Sequence, residues 1–528
     1  MQNWQSLSLL EQIAQMIVVR ASGHLFDCQI RYPAWEANNQ QLEAWLSELN
    51  LGGVILLGGS SVELQARSQQ LQSWANIPLF IAADVEQGVG QRFPGGTWFP
   101  PPMALGSIYH QDPELAQQYA VQMGEITARE ALTVGINWLL APVVDVNNNP
   151  ANPAINIRAF GDRPEVVTAL ATAFIQGAKS SAILTTAKHF PGHGDTVTDS
   201  HLDLPALNHS ESRLSRVELP PFQAAIAAGV DSVMTAHLSI PAWDEEQPAT
   251  LSKKIVTEIL RHRLNFAGLV VTDALIMGGI TKFASPKVVA VKAVEAGTDV
   301  LLMPDDPEVA IAAIYDAVKS GTIKQERIDR SLARIWQKKR QILNSSSSKT
   351  ELSSDRATKI VSAILEHSQQ HNGIAIDRAA LSQSSQRNLI VVDDVLNTSL
   401  DLNSPAIAIP AQHNYQRQLV DSHTLDCILL DSRPTLLQIF VRGNPFRGTA
   451  GLTEQTKNIY RELIEGQRLT GAIVYGSPYV WEWLRGVVGA KLPIVFSYGQ
   501  MPQAQEIALK SLFADAPAIA ASTQDFGF

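Results

Sequence analysis

Between residues 15 and 304 the chain alternates short β-branched or apolar runs with longer amphipathic stretches. This is the sequence habit of strand–helix units and a parallel sheet. The runs are QMIVVRA (15–21), GGVILLG (52–58), PLFIAAD (78–84), INWLLAPVVDV (136–146), AILTTAKH (182–189), DSVMTAH (231–237), GLVVTD (268–273) and TDVLLMP (298–304). Most are separated by segments long enough for a crossover helix, such as DPELAQQYAVQMGEITAREAL and SKKIVTEILRHRL. The spacing predicts an α/β fold with an N-terminal (β/α)8 TIM-type barrel. A doubly wound open sheet is the rival. Against it, no GxGxxG follows the first strand, and polar residues end many different strands instead of marking one switch point.

After the helical pattern ERIDRSLARIWQKKRQIL comes the polar, low-complexity stretch NSSSSKTELSSD, which reads as a linker. A second set of short apolar runs follows: NLIVVDDV, AIAIP, CILLD, LLQIFV, GAIVYG and PIVFSYG. They are interleaved with helical patterns such as TKNIYRELIEG and QAQEIALKSLF. The expected organisation is a barrel domain over 1–343, a linker over 344–355 and a smaller C-terminal α/β domain over 356–528.

Composition narrows the partners. Of 528 residues, 45% are hydrophobic and 17% charged, which excludes a mainly disordered chain. A formal charge of −10 offers no electrostatic footprint for nucleic acid or anionic lipid, so a small neutral or modestly charged substrate fits better. Cys28 and Cys427 form no CxxC pair, so neither a disulfide framework nor a thiolate metal site is indicated. No cationic stretch followed by an apolar run marks a signal peptide, and no segment approaches a bilayer span. A soluble, cytoplasmic protein without cofactor or membrane partner is expected.

In a barrel, a polar residue at the carboxyl end of a strand faces the site built by the loops beyond. Asp84, Asp145, Lys188 with His189, His237 and Asp273 hold such positions, although any one of them could be a solvated strand end or a cap. The segment AKHFPGHGDTVTDSHLDLP (187–205) gathers His189, His193 and His201 with Asp195, Asp199 and Asp203 in one glycine-broken loop. The histidines lack HExxH spacing and no cysteine assists, which weighs against zinc; a His-rich surface turn is the plainer alternative. Asp199 lies two residues before His201 and can reach its ring if the turn folds back, preparing it for proton transfer. Asp273 should emerge at the barrel mouth, as a helix cap, a nucleophile or an electrostatic stabiliser. One ionised carboxylate facing one proton donor is the equipment of glycosidic bond cleavage. Lys188, His189, Arg92 and Arg158 can donate to sugar hydroxyls, and Asp84 can accept from two at once.

These segments resemble glycoside hydrolase family 3, and within it the bacterial β-N-acetylglucosaminidases. KHFPGHGDTVTDSH (188–201) resembles that subgroup's signature loop, and INWLLAPVVDVNNNPANPAINIRAFG is similar to the segment ending in Arg-x-Phe-Gly. VVTDALIMGGI resembles the nucleophile segment, and AGTDVLLMP the last barrel strand. The likeness runs through residues 5–342. It continues more weakly into IVYGSPYVWEWL and PIVFSYGQMPQAQEIALKSLF, which look like the family's second, α/β sandwich domain. The resemblance implies that Asp273 is the nucleophile, that His201 is the general acid/base assisted by Asp199, and that Asp84, Arg92, Arg158, Lys188 and His189 hold the terminal N-acetylglucosamine. It further implies a retaining hydrolase acting on peptidoglycan fragments in cell-wall recycling. One departure is visible: where the family usually reads Asp-x-Glu-Gly-Gly, this chain has ADVEQGVGQR, with Gln87 at the first glycine position. The alternatives are a β-glucosidase or other family β-glycosidase, an N-acetylglucosaminide phosphorylase, and a non-catalytic sugar-binding protein.

Overall fold

The computed structural model describes residues 3–343, 350–376, 385–393, 395, 400–421, 423–442, 451–490 and 492–513. The chain divides into two compact units, Met1–Thr358 and Lys359–Phe528. Residues 344–349 of the expected linker lie outside the described residues. The residues that follow them are tied into the first unit: the Thr350 N–H donates to Thr133 Oγ1 and the Ser353 N–H to Glu130 Oε1.

The first unit is built on eight parallel strands: β1 (Ile17–Ser22), β2 (Gly53–Leu57), β3 (Phe80–Ala83), β4 (Trp138–Leu139), β5 (Thr186–Phe190), β6 (Ser232–Thr235), β7 (Leu269–Thr272) and β8 (Leu301–Leu302). Ladders run β4-β3-β2-β1-β8 and β5-β6-β7. Single bridges Trp138↔Leu184 and Val271↔Val300 stand between the two sheets. Strands β3, β6 and β7 are buried along their whole length, which is why they read as largely apolar runs instead of an alternation; β5 is buried too but carries Lys188 and His189.

Helices between the strands start where the sequence supplies caps. Asp112 accepts from the Leu115 N–H with Pro113 at the first turn of Pro113–Thr133. The segment expected as an ordinary helix after β6 forms a wider π-helix over Lys254–Arg263, burying Ile255, Val256, Ile259 and Leu260. The fourth expected strand, 136–146, is a ladder strand only at Trp138–Leu139. Pro142 has no N–H to give a ladder, so the chain continues irregularly, with one further bridge Val143↔Lys188, to Asp145.

The second unit holds a six-stranded sheet of β9 (Gln370–Asn372), β10 (Gln386–Val391), β11 (Tyr415–Val420), β12 (Thr435–Val441), β13 (Leu469–Gly476) and β14 (Ile494–Ser497). Its order is β11-β10-β12-β13-β14-β9, parallel except for the β14–β9 pair. Two expected strand-like runs are something else. AIAIP lies in the helix Pro405–Ala411, where Pro405 opens the first turn, and CILLD lies in the 3-10 helix Leu425–Leu430, followed by Asp431. The strand between them, YQRQLV, sits at the sheet edge with exposed Gln416 and Arg417, so its polar pattern hid it. Residue 394, within the run NLIVVDDV, lies outside the described residues. Among the described residues no helix is long and apolar enough to cross a membrane.

Candidate active site

The carboxyl ends of β3 to β7 converge on a network of charges. Asp84 follows β3, and its Oδ1 accepts from Lys188 Nζ at 2.7 Å. Lys188 Nζ lies 2.7 Å from Glu86 Oε1 as well. Arg158 grips Glu86 with two bonds, Nε to Oε2 at 2.9 Å and Nη2 to Oε1 at 2.8 Å, the bidentate geometry that fixes both partners. Burial would raise the Glu86 carboxyl, but the Arg158 and Lys188 charges override it and hold it well below the usual carboxylate range. Burial opposes the charge on Lys188, and Asp84 and Glu86 more than restore it, so its pKa is raised. The Lys188 side chain is 1% exposed and that of Asp84 33%, so Asp84 is more open to a ligand than the lysine it pairs with. Arg92, on the exposed side, donates its Nε to the Asp84 carbonyl.

His189 is the penultimate residue of β5, at a register irregularity in the β5–β6 ladder between Ala187 and Phe190. Its Nδ1 lies 2.8 Å from Asp145 Oδ2, and the Asp145 carboxylate also accepts the His189 and His193 N–H groups. Burial pushes the Asp145 carboxyl up, and His189 with these bonds brings it below its ordinary value. His193 is buried between Thr196 Oγ1 at 2.7 Å and Ser200 Oγ at 3.0 Å. Burial lowers it to about 4, so it stays neutral near pH 7 and holds the loop together.

Asp199 and His201 meet. His201 Nδ1 lies 2.8 Å from Asp199 Oδ1, which also accepts the His201 N–H at 2.9 Å. The turn thus folds back, leaving the imidazole partly open while the Asp199 side chain is buried. The same loop is docked on the segment after β7: the Gly278 N–H donates to the His201 carbonyl and the Gly279 N–H to the Ser200 carbonyl. A Cβ on Gly279 would lie 2.8 Å from both the Ser200 and Asp203 carbonyl oxygens, so the approach needs glycine there.

Asp273 closes β7. Its N–H donates to the Thr235 carbonyl, and its Oδ1 accepts the Ala274 N–H at 2.8 Å. Burial raises its carboxyl, but His189, His237 and His201 act on it electrostatically, with the Ala274 N–H, and hold it below the ordinary value. His237, buried beneath, bridges the Thr250 hydroxyl and the Ala274 carbonyl. The His201 carbonyl accepts the N–H of Gly278, five residues beyond Asp273, which brings close two residues 72 positions apart in sequence.

Lys188, His189, Arg158 and Asp84 meet in one network, and Asp273 joins His201 with Asp199; Arg92 stands at the edge. Sequence reasoning passed over Glu86, the carboxylate that pins Arg158 and Lys188; its position two residues beyond Asp84 was the available signal. The glycine departure resolves locally. The left-handed backbone falls on Gly88, φ +84°, and not on Gln87, whose carbonyl accepts the Phe99 N–H and whose Oε1 accepts from Trp98 Nε1.

Fold and site define a parallel α/β unit with a cluster of charged side chains at the carboxyl ends of its strands. Comparison makes this specific. Residues 8–337 match the glycosyl hydrolase family 3 N-terminal domain, and residues 380–514 the bacterial glycosyl hydrolase family 3 C-terminal domain. The chain belongs to glycosyl hydrolase family 3. Beta-hexosaminidase A of Pseudoalteromonas piscicida is 35% identical over 339 residues, 58% of this chain and 56% of that protein. The beta-hexosaminidase of Thiobacillus denitrificans is 36% identical over 270 residues, 50% of this chain and 74% of that protein. The chain thus spans little more than half the length of the first of these relatives. A family 3 β-N-acetylglucosaminidase from Paenibacillus sp. str. FPU-7 superposes with a TM-score of 0.79 at 29% identity, over 96% of this chain and 97% of the other. A beta-glucoside phosphorylase at 22% identity and a TM-score of 0.80 shares the fold.

Proposed function

We propose that this protein is a retaining exo-β-N-acetylglucosaminidase that hydrolyses terminal β-linked N-acetylglucosamine. The observation that carries the reading is the docking of the Asp199–His201 loop onto the segment after Asp273, which gives one pocket an ionised carboxylate and an imidazole. Asp273 attacks the anomeric carbon and forms a glycosyl ester while the bond to the leaving oxygen breaks and His201 gives that oxygen its proton. His201 then takes a proton from water, whose oxygen displaces Asp273 and releases the sugar with its configuration retained. Asp199 orients the ring. Asp84, Lys188, His189, Arg158 and Arg92 hold the sugar hydroxyls and the acetamido group, with Lys188 and Arg158 fixed by Glu86.

The catalytic domain in this reading is 1–343, with the two sheets of the first unit forming one closed (β/α)8 barrel; the bridges Trp138↔Leu184 and Val271↔Val300 support closure. A linker over 344–355 leads to the second domain over 356–528, a sheet sandwiched by helices. A soluble enzyme working in the cytoplasm fits these features. The expected link to peptidoglycan fragments rests on resemblance alone.

The test compares kcat/KM on p-nitrophenyl β-N-acetylglucosaminide and p-nitrophenyl β-glucoside and follows the first-formed anomer by proton NMR. A clear preference for the N-acetylglucosaminide, with the β-anomer formed first, is expected. Preference for the glucoside, or release of the α-anomer, would overturn the reading.

A further inference from the structure

A cavity of about 170 Å³ opens over the ends of β8 and β1, with Arg20, Trp35, Glu36, Ile276, Met303 and Asp305 in its wall. None of the residues assigned above lines it. Ile276 lies three residues after Asp273, and the Leu275 N–H donates to the Leu302 carbonyl, so the cavity borders the nucleophile's own segment.

Strand order gives this cavity a place on the substrate. Asp84 follows β3, Arg158 lies on the connection from β4 to β5 and Lys188 lies within β5, whereas Asp273 follows β7. A β-linked pyranose with its ring hydroxyls at the first group and its anomeric carbon at Asp273 directs the equatorial leaving oxygen away from β3–β5, toward β8 and β1. The wall there is suited to a sugar face. Trp35 in this wall is 45% exposed, and Tyr32, outside the lining, stacks on it with centroids 5.9 Å apart.

We propose that this cavity binds the leaving-group sugar and that it selects a neutral residue, such as a second N-acetylhexosamine, over one bearing a carboxylate. Among the described residues that line it, Arg20 is the only cation, and its Nε is already paired with Glu36 at 2.9 Å. Its guanidinium also lies over the Tyr32 ring, 4.7 Å from the centroid. Asp305 and Asp306 add two exposed carboxylates, and the Oδ1 of Asp306 caps the Glu308 and Val309 N–H groups. The lining thus carries a net negative charge, which repels a lactyl carboxylate and leaves an uncharged ring unaffected. The inference rests on the glycosidase reading and sharpens it.

Three substrates separate the two levels: N-acetylglucosaminyl β-fluoride, which has no leaving sugar, chitobiose, and the disaccharide of N-acetylglucosamine with N-acetylmuramic acid. Full-length wild-type protein is expected to show a higher kcat/KM on chitobiose than on the muramic acid disaccharide. Trp35→Ala is expected to lower the chitobiose value at least ten-fold more than the fluoride value, and Asp305→Asn to narrow the gap between the two disaccharides. Melting curves check that both exposed-site variants remain folded. Equal or faster cleavage of the muramic acid disaccharide by wild type, or equal losses on chitobiose and fluoride for Trp35→Ala, overturns the subsite. No hydrolysis of the fluoride by wild type would instead sink the glycosidase reading beneath it.

Discussion

At the scale of single residues, the site separates charge roles by environment. Glu86 and Asp145 are buried carboxylates committed to Arg158, Lys188 and His189, whereas the Asp273 carboxylate, held below its ordinary pKa, accepts the N–H of its neighbour Ala274. A carboxylate kept charged by nearby imidazoles, but with an oxygen still open, can act as a nucleophile. Asp273→Ala is expected to lower turnover on every substrate by at least about 10⁴-fold. His201→Ala should cost about 10²- to 10⁴-fold where the leaving group is a sugar alkoxide, and far less on the fluoride, which leaves without a proton. Steady-state kinetics on chitobiose and the fluoride check this, and equal losses on both would remove His201 from the acid/base role.

At the scale of elements, the dyad depends on a loop docked on two glycines. Gly279→Ala puts a methyl group 2.8 Å from the Ser200 and Asp203 carbonyl oxygens, so the loop must shift. A displacement of this kind is expected to cost up to about 10²-fold in kcat, because it moves the imidazole relative to Asp273. A large fall in Tm with unchanged kcat would contradict it. The helix Gln325–Leu343 carries a different tension. Lys339 is wholly buried, donates to Gln15 Oε1 at 2.7 Å and lies over the Phe80 and Trp336 rings. Burial lowers it to about 7. Because the folded pKa lies below that of the unfolded chain, the cost of burying this amine is complete below about pH 7 and fades as pH rises toward the ordinary lysine value of 10.5. Lys339→Met should therefore raise Tm, and by more at pH 7 than at pH 10; an equal gain at both would show that packing and not charge is responsible.

At the scale of the whole molecule, acid stability reflects the buried imidazoles. His193 and His237 are lowered by burial, His193 to about 4, while an unfolded histidine titrates near its ordinary value of 6.5. The unfolded chain takes up these protons first, so the stability they contribute is complete above 6.5 and is lost as pH falls toward 4. Thermal melts between pH 7 and 4 should show Tm dropping across that window, with a shallower slope in His193→Gln; identical slopes would assign the loss to other groups.

Much of this was legible along the chain, because apolar runs buried on both faces must be β-branched and continuous, and because Asp199 and His201 are close enough in sequence to find each other in one turn. The same reasoning failed where context outranked local pattern. AIAIP alternates like a strand yet lies in a helix opened by Pro405, and the edge strand Tyr415–Val420 looks polar since one side has no neighbour to bury it. Sequence alone determined the order of strand–helix units, the polar residues that end them and the local dyad, for each depends on neighbours a few positions away. Only tertiary structure decided that Glu86 pins Arg158 and Lys188, that His201 reaches the field of Asp273, and that a cavity opens beyond it over β8 and β1. Those pairings join positions tens to hundreds of residues apart, and only the folded packing sets the distances on which charge interactions depend.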